Sequence, residues 1–190
     1  MTQNCVTQAP YTSGDQFTGL TAGTSYYVTI TTVAPTGFIN ASATSSSATL
    51  ATSQLTAPST VTLAYGSAAG SIKVTFAGSS NAPAGQTYSA LACTDSGMSK
   101  NCVSAPSVTS GGQITGLSYS AGAAGTSYYV TVTANASAGF LASSPSAVSG
   151  AHADTSVLNA PTNLTVASST TTVGAITASF TASSGVAPAS

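Results

Sequence analysis

The sequence predicts an all-β chain of tandem antiparallel β-sandwiches, and three observations carry that reading: an internal repeat of about a hundred residues, a period-two apolar pattern, and turn residues at regular intervals. The repeat is visible by self-comparison. Met1-Thr-Gln-Asn-Cys5-Val recurs as Met98-Ser-Lys-Asn-Cys102-Val, 97 residues later. Gly23-Thr-Ser-Tyr-Tyr-Val-Thr29 recurs unchanged as Gly125-Thr-Ser-Tyr-Tyr-Val-Thr131, 102 residues later, because Ser118 to Ala124 carries about five inserted residues. Thr56-Ala-Pro58 recurs as Asn159-Ala-Pro161, and Ser71-Ile-Lys-Val-Thr-Phe76 is echoed by Ala175-Ile-Thr-Ala-Ser-Phe180.

That register places residues 1–55 as the back part of one repeat, 56–156 as a complete repeat, and 157–190 as the front part of the next. Met1 then matches the internal residue Met98, so the chain is expected to be a window on a longer polypeptide. Its first residues carry neither a basic segment nor an apolar one of the kind a secretory leader needs.

Within the complete repeat, alternation and turn spacing predict strands near 60–65, 71–77, 86–93, 101–105, 112–117, 127–134 and 143–149. β-branched Thr and Val dominate, and Ser, Gly and Pro interrupt every amphipathic stretch that would favour a helix. No run of 18 apolar residues is present to form a membrane-spanning helix.

Charge is scarce: Lys and Arg number 2, Asp and Glu 3, and His 1, so only 3% of positions are charged. Ser and Thr fill about a third of the chain. Nearly neutral surfaces associate readily. Lys73 and Lys100 stand alone in their neighbourhoods, which excludes the basic clusters that nucleic acid or anionic membrane would require.

The residues resemble those of fibronectin type III domains over nearly the whole chain. Ala57-Pro58 stands before the first strand, Phe76 on the second, then Leu117, Gly125-Thr126-Ser-Tyr128, Val130, Val132, Ala134-Asn135, Gly139 and Ser143 follow. The earlier half-repeat offers Leu20, Gly23-Thr24-Ser-Tyr26, Val28, Ile30 and Gly37. The resemblance implies an immunoglobulin-like sandwich in which Tyr26 and Tyr128 are tyrosine corners, ring buried and hydroxyl bonded to backbone. Tyr27 and Tyr129, one step along, face the other way and are candidates for a surface contact, as well as ordinary strand residues. Two departures stand out: Phe76 and Phe180 where the family favours Trp, and a cysteine pair that typical members lack.

Cys93 closes the third predicted strand and Cys102 opens the fourth, so a tight hairpin brings them into bonding range. A disulfide there closes a loop of about ten residues and stabilises by roughly 2.5–3 kcal/mol. Cys5 matches Cys102, and its own mate would fall upstream of the chain. One His and isolated thiols supply neither a metal set nor a catalytic thiol with its base, so no metal and no cofactor are expected. Cysteine pairing implies an extracellular or cell-surface location.

Asn40, Asn135 and Asn163 stand in Asn-x-Ser/Thr sequons and are candidate glycosylation sites. His152 and Asp154 lie two apart in what reads as a loose linker, unable to hold catalytic geometry, and Asp15, Asp95 and Asp154 are too scattered for a calcium clamp. An Arg-Gly-Asp signal is absent for want of Arg. No enzyme chemistry is expected.

The expectation is a structural segment of an extracellular filament, stalk or surface adhesin, a stiff spacer whose partners are neighbouring copies or repeats and, in one variant, glycans. Modules joined by Ser53–Ala57 and Thr155–Asn159 would stack end to end, each about 30 Å long. A strand-exchange variant, with residues 157–190 supplying two strands to a neighbouring copy, lacks the third strand and ranks below a continuous chain. The alternatives are a carbohydrate- or ice-binding module using Thr29-Ile-Thr31 and Thr131-Val-Thr133, and spacer domains of a secreted polysaccharide hydrolase.

Overall fold

The computed structural model describes residues 5–183. Every regular element among them is a β-strand, in line with the abundance of β-branched Thr and Val and the Ser, Gly and Pro that interrupt helical stretches. The chain divides into two compact units: the described part of Met1–Leu55 with Ala136–Ala142, and Thr56–Asn135 with the described part of Ser143–Ser190.

In the first unit the strands are short. β1 (Ser25–Tyr26) pairs with β4 (Thr49–Leu50), and β2 (Thr29–Thr31) pairs antiparallel with β3 (Ser42–Thr44). β5 (Ser53–Gln54) runs parallel to the segment Phe140–Leu141. Much of the apolar content of this unit is uncovered, including Tyr27, Ile30, Phe38, Ile39 and Leu50.

The second unit closes a core. β6 (Ser59–Tyr65), β7 (Ile72–Ala77), β8 (Tyr88–Cys93), β9 (Val103–Val108), β10 (Gln113–Ile114) and β11 (Ser127–Ala134) follow in chain order. β12 is the Phe140–Leu141 segment of the first unit, and β13 (His152–Ala153) ends the module. One sheet has the order β10-β7-β6, the other β13-β11-β8-β9, and all these pairings are antiparallel. First, second and fifth strands against third, fourth and sixth is the partition of a fibronectin type III-like sandwich.

Alternation explains the core. β7 buries Ile72, Val74 and Phe76 on one face and exposes Lys73, Thr75 and Ala77 on the other. These meet Ala90 and Ala92 of β8, Tyr128, Val130 and Val132 of β11, and Ile114 and Leu117. Each fully buried Val, Ile or Phe contributes about 1.5–3 kcal/mol. Phe76 and Tyr88 meet edge to face, centroids 5.1 Å apart.

The predicted strand at 143–149 is not one. Ser143, Ser146 and Ser149 are buried, and three residues here span what two residues span on β11. Their amides donate to the carbonyls of Ala134 (3.0 Å), Val132 (2.8 Å) and Val130 (3.0 Å). Their hydroxyl oxygens accept in return from the amides of Ala134 (3.0 Å), Val132 (3.0 Å) and Val130 (2.9 Å). Pro145, with no N–H and a fixed φ, breaks regular ladder pairing, and side-chain hydroxyls take over the acceptor role of a partner strand's carbonyls.

β14 (Thr162–Ser168) and β15 (Ile176–Thr181) form a two-stranded hairpin that is exposed throughout. They hold the sequence places of β6 and β7, yet Leu164, Val166, Ile176 and Phe180 are uncovered.

Candidate functional site

The repeated Gly-Thr-Ser-Tyr-Tyr-Val-Thr motif makes the same bond twice. Tyr128 is 1% exposed, and its hydroxyl accepts from the Ser118 amide at 3.0 Å. Tyr26 is half-buried, and its hydroxyl accepts from the Thr21 amide at 3.0 Å. The first bond reaches back ten residues and the second five, so the extra length of the Ser118–Ala124 region is looped out inside the corner. Tyr27 is exposed, whereas Tyr129 is half-buried and stands opposite Cys93 in the β8–β11 register.

Cys93, the last residue of β8, is bonded to Cys102, just before β9, with an S–S distance of 2.05 Å. The turn they close is organised by Asp95. Its carboxylate accepts from the amides of Ser99 (3.0 Å) and Lys100 (2.7 Å) and from the Ser99 hydroxyl (2.9 Å). The Ser99 amide, then that of Lys100, hold this carboxyl below the usual Asp value. Met98 and Asn101 adopt positive φ, 54° and 45°, the left-handed turn geometry that a closed loop of this length demands. Cys5 is unbonded and exposed.

The three sequon asparagines differ. Asn40 is exposed and accepts through Oδ1 from the Ala34 amide at 2.8 Å. Asn135 is half-buried, with Nδ2 donating to Thr87 Oγ1 at 3.2 Å, and exposed Asn163 donates likewise to Thr181 Oγ1 at 3.1 Å. The Thr29 and Thr31 hydroxyls share hydrogen bonds with those of Thr44 (2.7 Å) and Ser42 (2.8 Å), so this Thr-rich strand spends its hydroxyls across its own hairpin.

His152 and Asp154 correct the sequence reading: they are not loose linker. His152 lies in β13, opposite Tyr128, with its ring edge-on to Tyr65 at 4.7 Å. The Asp154 amide donates to Thr126 O at 2.9 Å, and Thr155 both donates to the Ser71 carbonyl and accepts from the Gly70 amide. Asp154 is 1% exposed, packed where Gly125 has no side chain; a Cβ there would collide with the Asp154 carbonyl. The Ala-His-Ala-Asp stretch has no apolar pattern to announce this, because the packing comes from Gly125, in the segment that leads into β11.

Neither Asp154 carboxyl oxygen closes a hydrogen bond among the described residues. Burial therefore pushes its pKa up, and the nearby amides of Thr126 and of Asp154 itself offset only part of that. A raised native value means that the neutral form is favoured in the fold: the contribution to stability is full below the unfolded-state value and lost as pH rises through the native one. Urea midpoints of wild type and Asp154→Asn should therefore diverge as pH rises above the ordinary Asp value of about 4, with the Asn variant gaining relative to wild type. A pH-independent difference would contradict this.

Among the described residues no three His, Cys, Asp or Glu side chains group to hold a metal, and no helix is long and apolar enough to cross a membrane. The first unit carries an open cleft of about 530 Å³, lined in part by Phe17, Leu20, Tyr26 and Val28. Leu20, Tyr26 and Val28 are the repeat equivalents of Leu117, Tyr128 and Val130, which in the second unit pack within the core that Ile72, Val74 and Phe76 complete. The cleft is thus the uncovered counterpart of a packed core.

No protein-family model matches the chain, and no curated protein does. Among solved structures it is similar to the extracellular region of rat CD45, domains d3–d4, at 17% identity and a TM-score of 0.39, over 80% of this chain and 76% of that one. The fold assignment rests on the strand order and core of the second unit, not on this likeness.

Proposed function

We propose that the chain is a structural segment of an extracellular filament, stalk or surface adhesin, built from repeats at 1–55, 56–156 and 157–190 and working as a stiff, disulfide-pinned spacer. Its output is length, stiffness and resistance to proteolysis rather than turnover of a substrate. The observation that carries the reading is the tyrosine corner made twice, by identical heptapeptides a repeat length apart, once in a closed sandwich and once in a unit that leaves its matching apolar face open. The bonded Cys93–Cys102 pair supports an oxidising, extracellular location, and the scarcity of charge fits a surface that is packed against neighbours.

Electron micrographs of the native material test this. Continuous rods or fibres with an axial repeat of roughly 30 Å, the length of one module, are expected. Isolated globular particles without such a repeat would overturn the reading.

A further inference from the structure

Within the first unit, Phe140–Leu141 of β12 lie parallel to Ser53–Gln54 of β5. The Ser53 amide donates to Gly139 O at 2.9 Å and the Leu55 amide to Leu141 O at 3.1 Å. Leu55 is 3% exposed there. A Gly-Phe-Leu segment thus covers a Ser-x-Leu segment through two main-chain bonds.

Both halves of this clasp occur a second time. Gly37-Phe38-Ile39 stands 102 residues before Gly139-Phe140-Leu141, and Ser156-Val157-Leu158 stands 103 residues after Ser53-Gln54-Leu55. Neither copy is covered by the described residues: Phe38 is 75% and Ile39 92% exposed, Val157 44% and Leu158 61%. The acceptor side is also pre-formed. Carbonyls and amides of successive residues in an extended chain point to opposite sides. The Val157 carbonyl is taken by the Gly122 amide at 2.8 Å. That leaves the opposite side, where the Ser156 and Leu158 amides donate to no group among the described residues, available for the two bonds that Ser53 and Leu55 make.

We propose that Gly37-Phe38-Ile39 of one copy docks in parallel on Ser156-Val157-Leu158 of a second copy, in the register of β12 on β5. This rests on the repeat-array reading and names the contact by which it grows. Two main-chain bonds and a few apolar side chains make a weak contact between free molecules, since association entropy opposes it. Because each copy carries both segments, the same contact recurs head to tail, and the array grows with protein concentration.

The test traps the contact covalently. In a Cys5→Ser background, Ile39→Cys is combined with Val157→Cys, the register equivalent of Leu141 opposite Gln54. The control combines Ile39→Cys with Val173→Cys, a fully exposed position on the β14–β15 turn. Under mild oxidation the matched pair should form intermolecular disulfides about tenfold faster than the control, a ratio equivalent to about 1.4 kcal/mol of preference. Adding Leu158→Pro, which deletes one docking amide, or Phe38→Asp, which removes an exposed apolar side chain of the docking segment, should return the rate to the control. A urea midpoint for each variant separates docking from folding. Equal rates for matched and control pairs, or a crosslink that closes within one chain, overturn the proposal. Rods in micrographs without this crosslink would remove the contact and leave the array; the crosslink without rods would do the reverse.

Discussion

Truncating Tyr128 to alanine lowers the stability of the second unit by about 3–5 kcal/mol, the range for deleting a fully buried ring from a packed core. The ring is 1% exposed and sits among Ile72, Val74, Val130 and Val132, so no solvent can fill the space it leaves. Tyr128→Phe keeps the packing but removes the acceptor of the Ser118 amide, and costs about 1–3 kcal/mol. Tyr26→Ala should cost less than Tyr128→Ala, because Tyr26 is only half-buried beside an open cleft. Equilibrium urea denaturation of the three variants checks the order. Equal losses at Tyr26 and Tyr128 would mean that the first unit is as closed as the second.

The triple change Ser143→Ala, Ser146→Ala and Ser149→Ala should cost about 3–9 kcal/mol, because each substitution strands a buried amide and such a group costs about 1–3 kcal/mol. The amides left without acceptors are those of Ala134, Val132 and Val130, all on the same edge of β11. Ser144→Ala, one residue away but exposed, should change stability by less than about 0.5 kcal/mol. Chemical denaturation distinguishes the two, and a triple variant as stable as Ser144→Ala would show that water replaces the hydroxyls.

These serines show where sequence reading reaches its limit. β7 and β11 announce themselves by apolar alternation, and the expected 71–77 and 127–134 fall on Ile72–Ala77 and Ser127–Ala134. The 143–149 stretch carries a period-three serine pattern instead, and hydroxyls that replace carbonyls leave no apolar signature. The expected 112–117 shrinks to Gln113–Ile114 because Gly116, at φ 78°, turns the chain so that Leu117 enters the core outside the ladder. The Cys93–Cys102 hairpin was legible because a bond between strand ends depends on local spacing. Burial of Asp154 was not, since it depends on the close approach of Gly125, about thirty residues earlier in the chain.

One sandwich is closed by its own core, while the first unit and the β14–β15 hairpin leave apolar side chains uncovered. Native-state amide hydrogen exchange on the intact chain measures this residue by residue. The amides of Leu91, Val130 and Val132 are expected to exchange only when the whole sandwich opens, while those of Val166 and Ala178 in the β14–β15 hairpin exchange through low-cost local opening. Protection of the hairpin equal to that of β8 and β11, or loss of protection along β11, would contradict it.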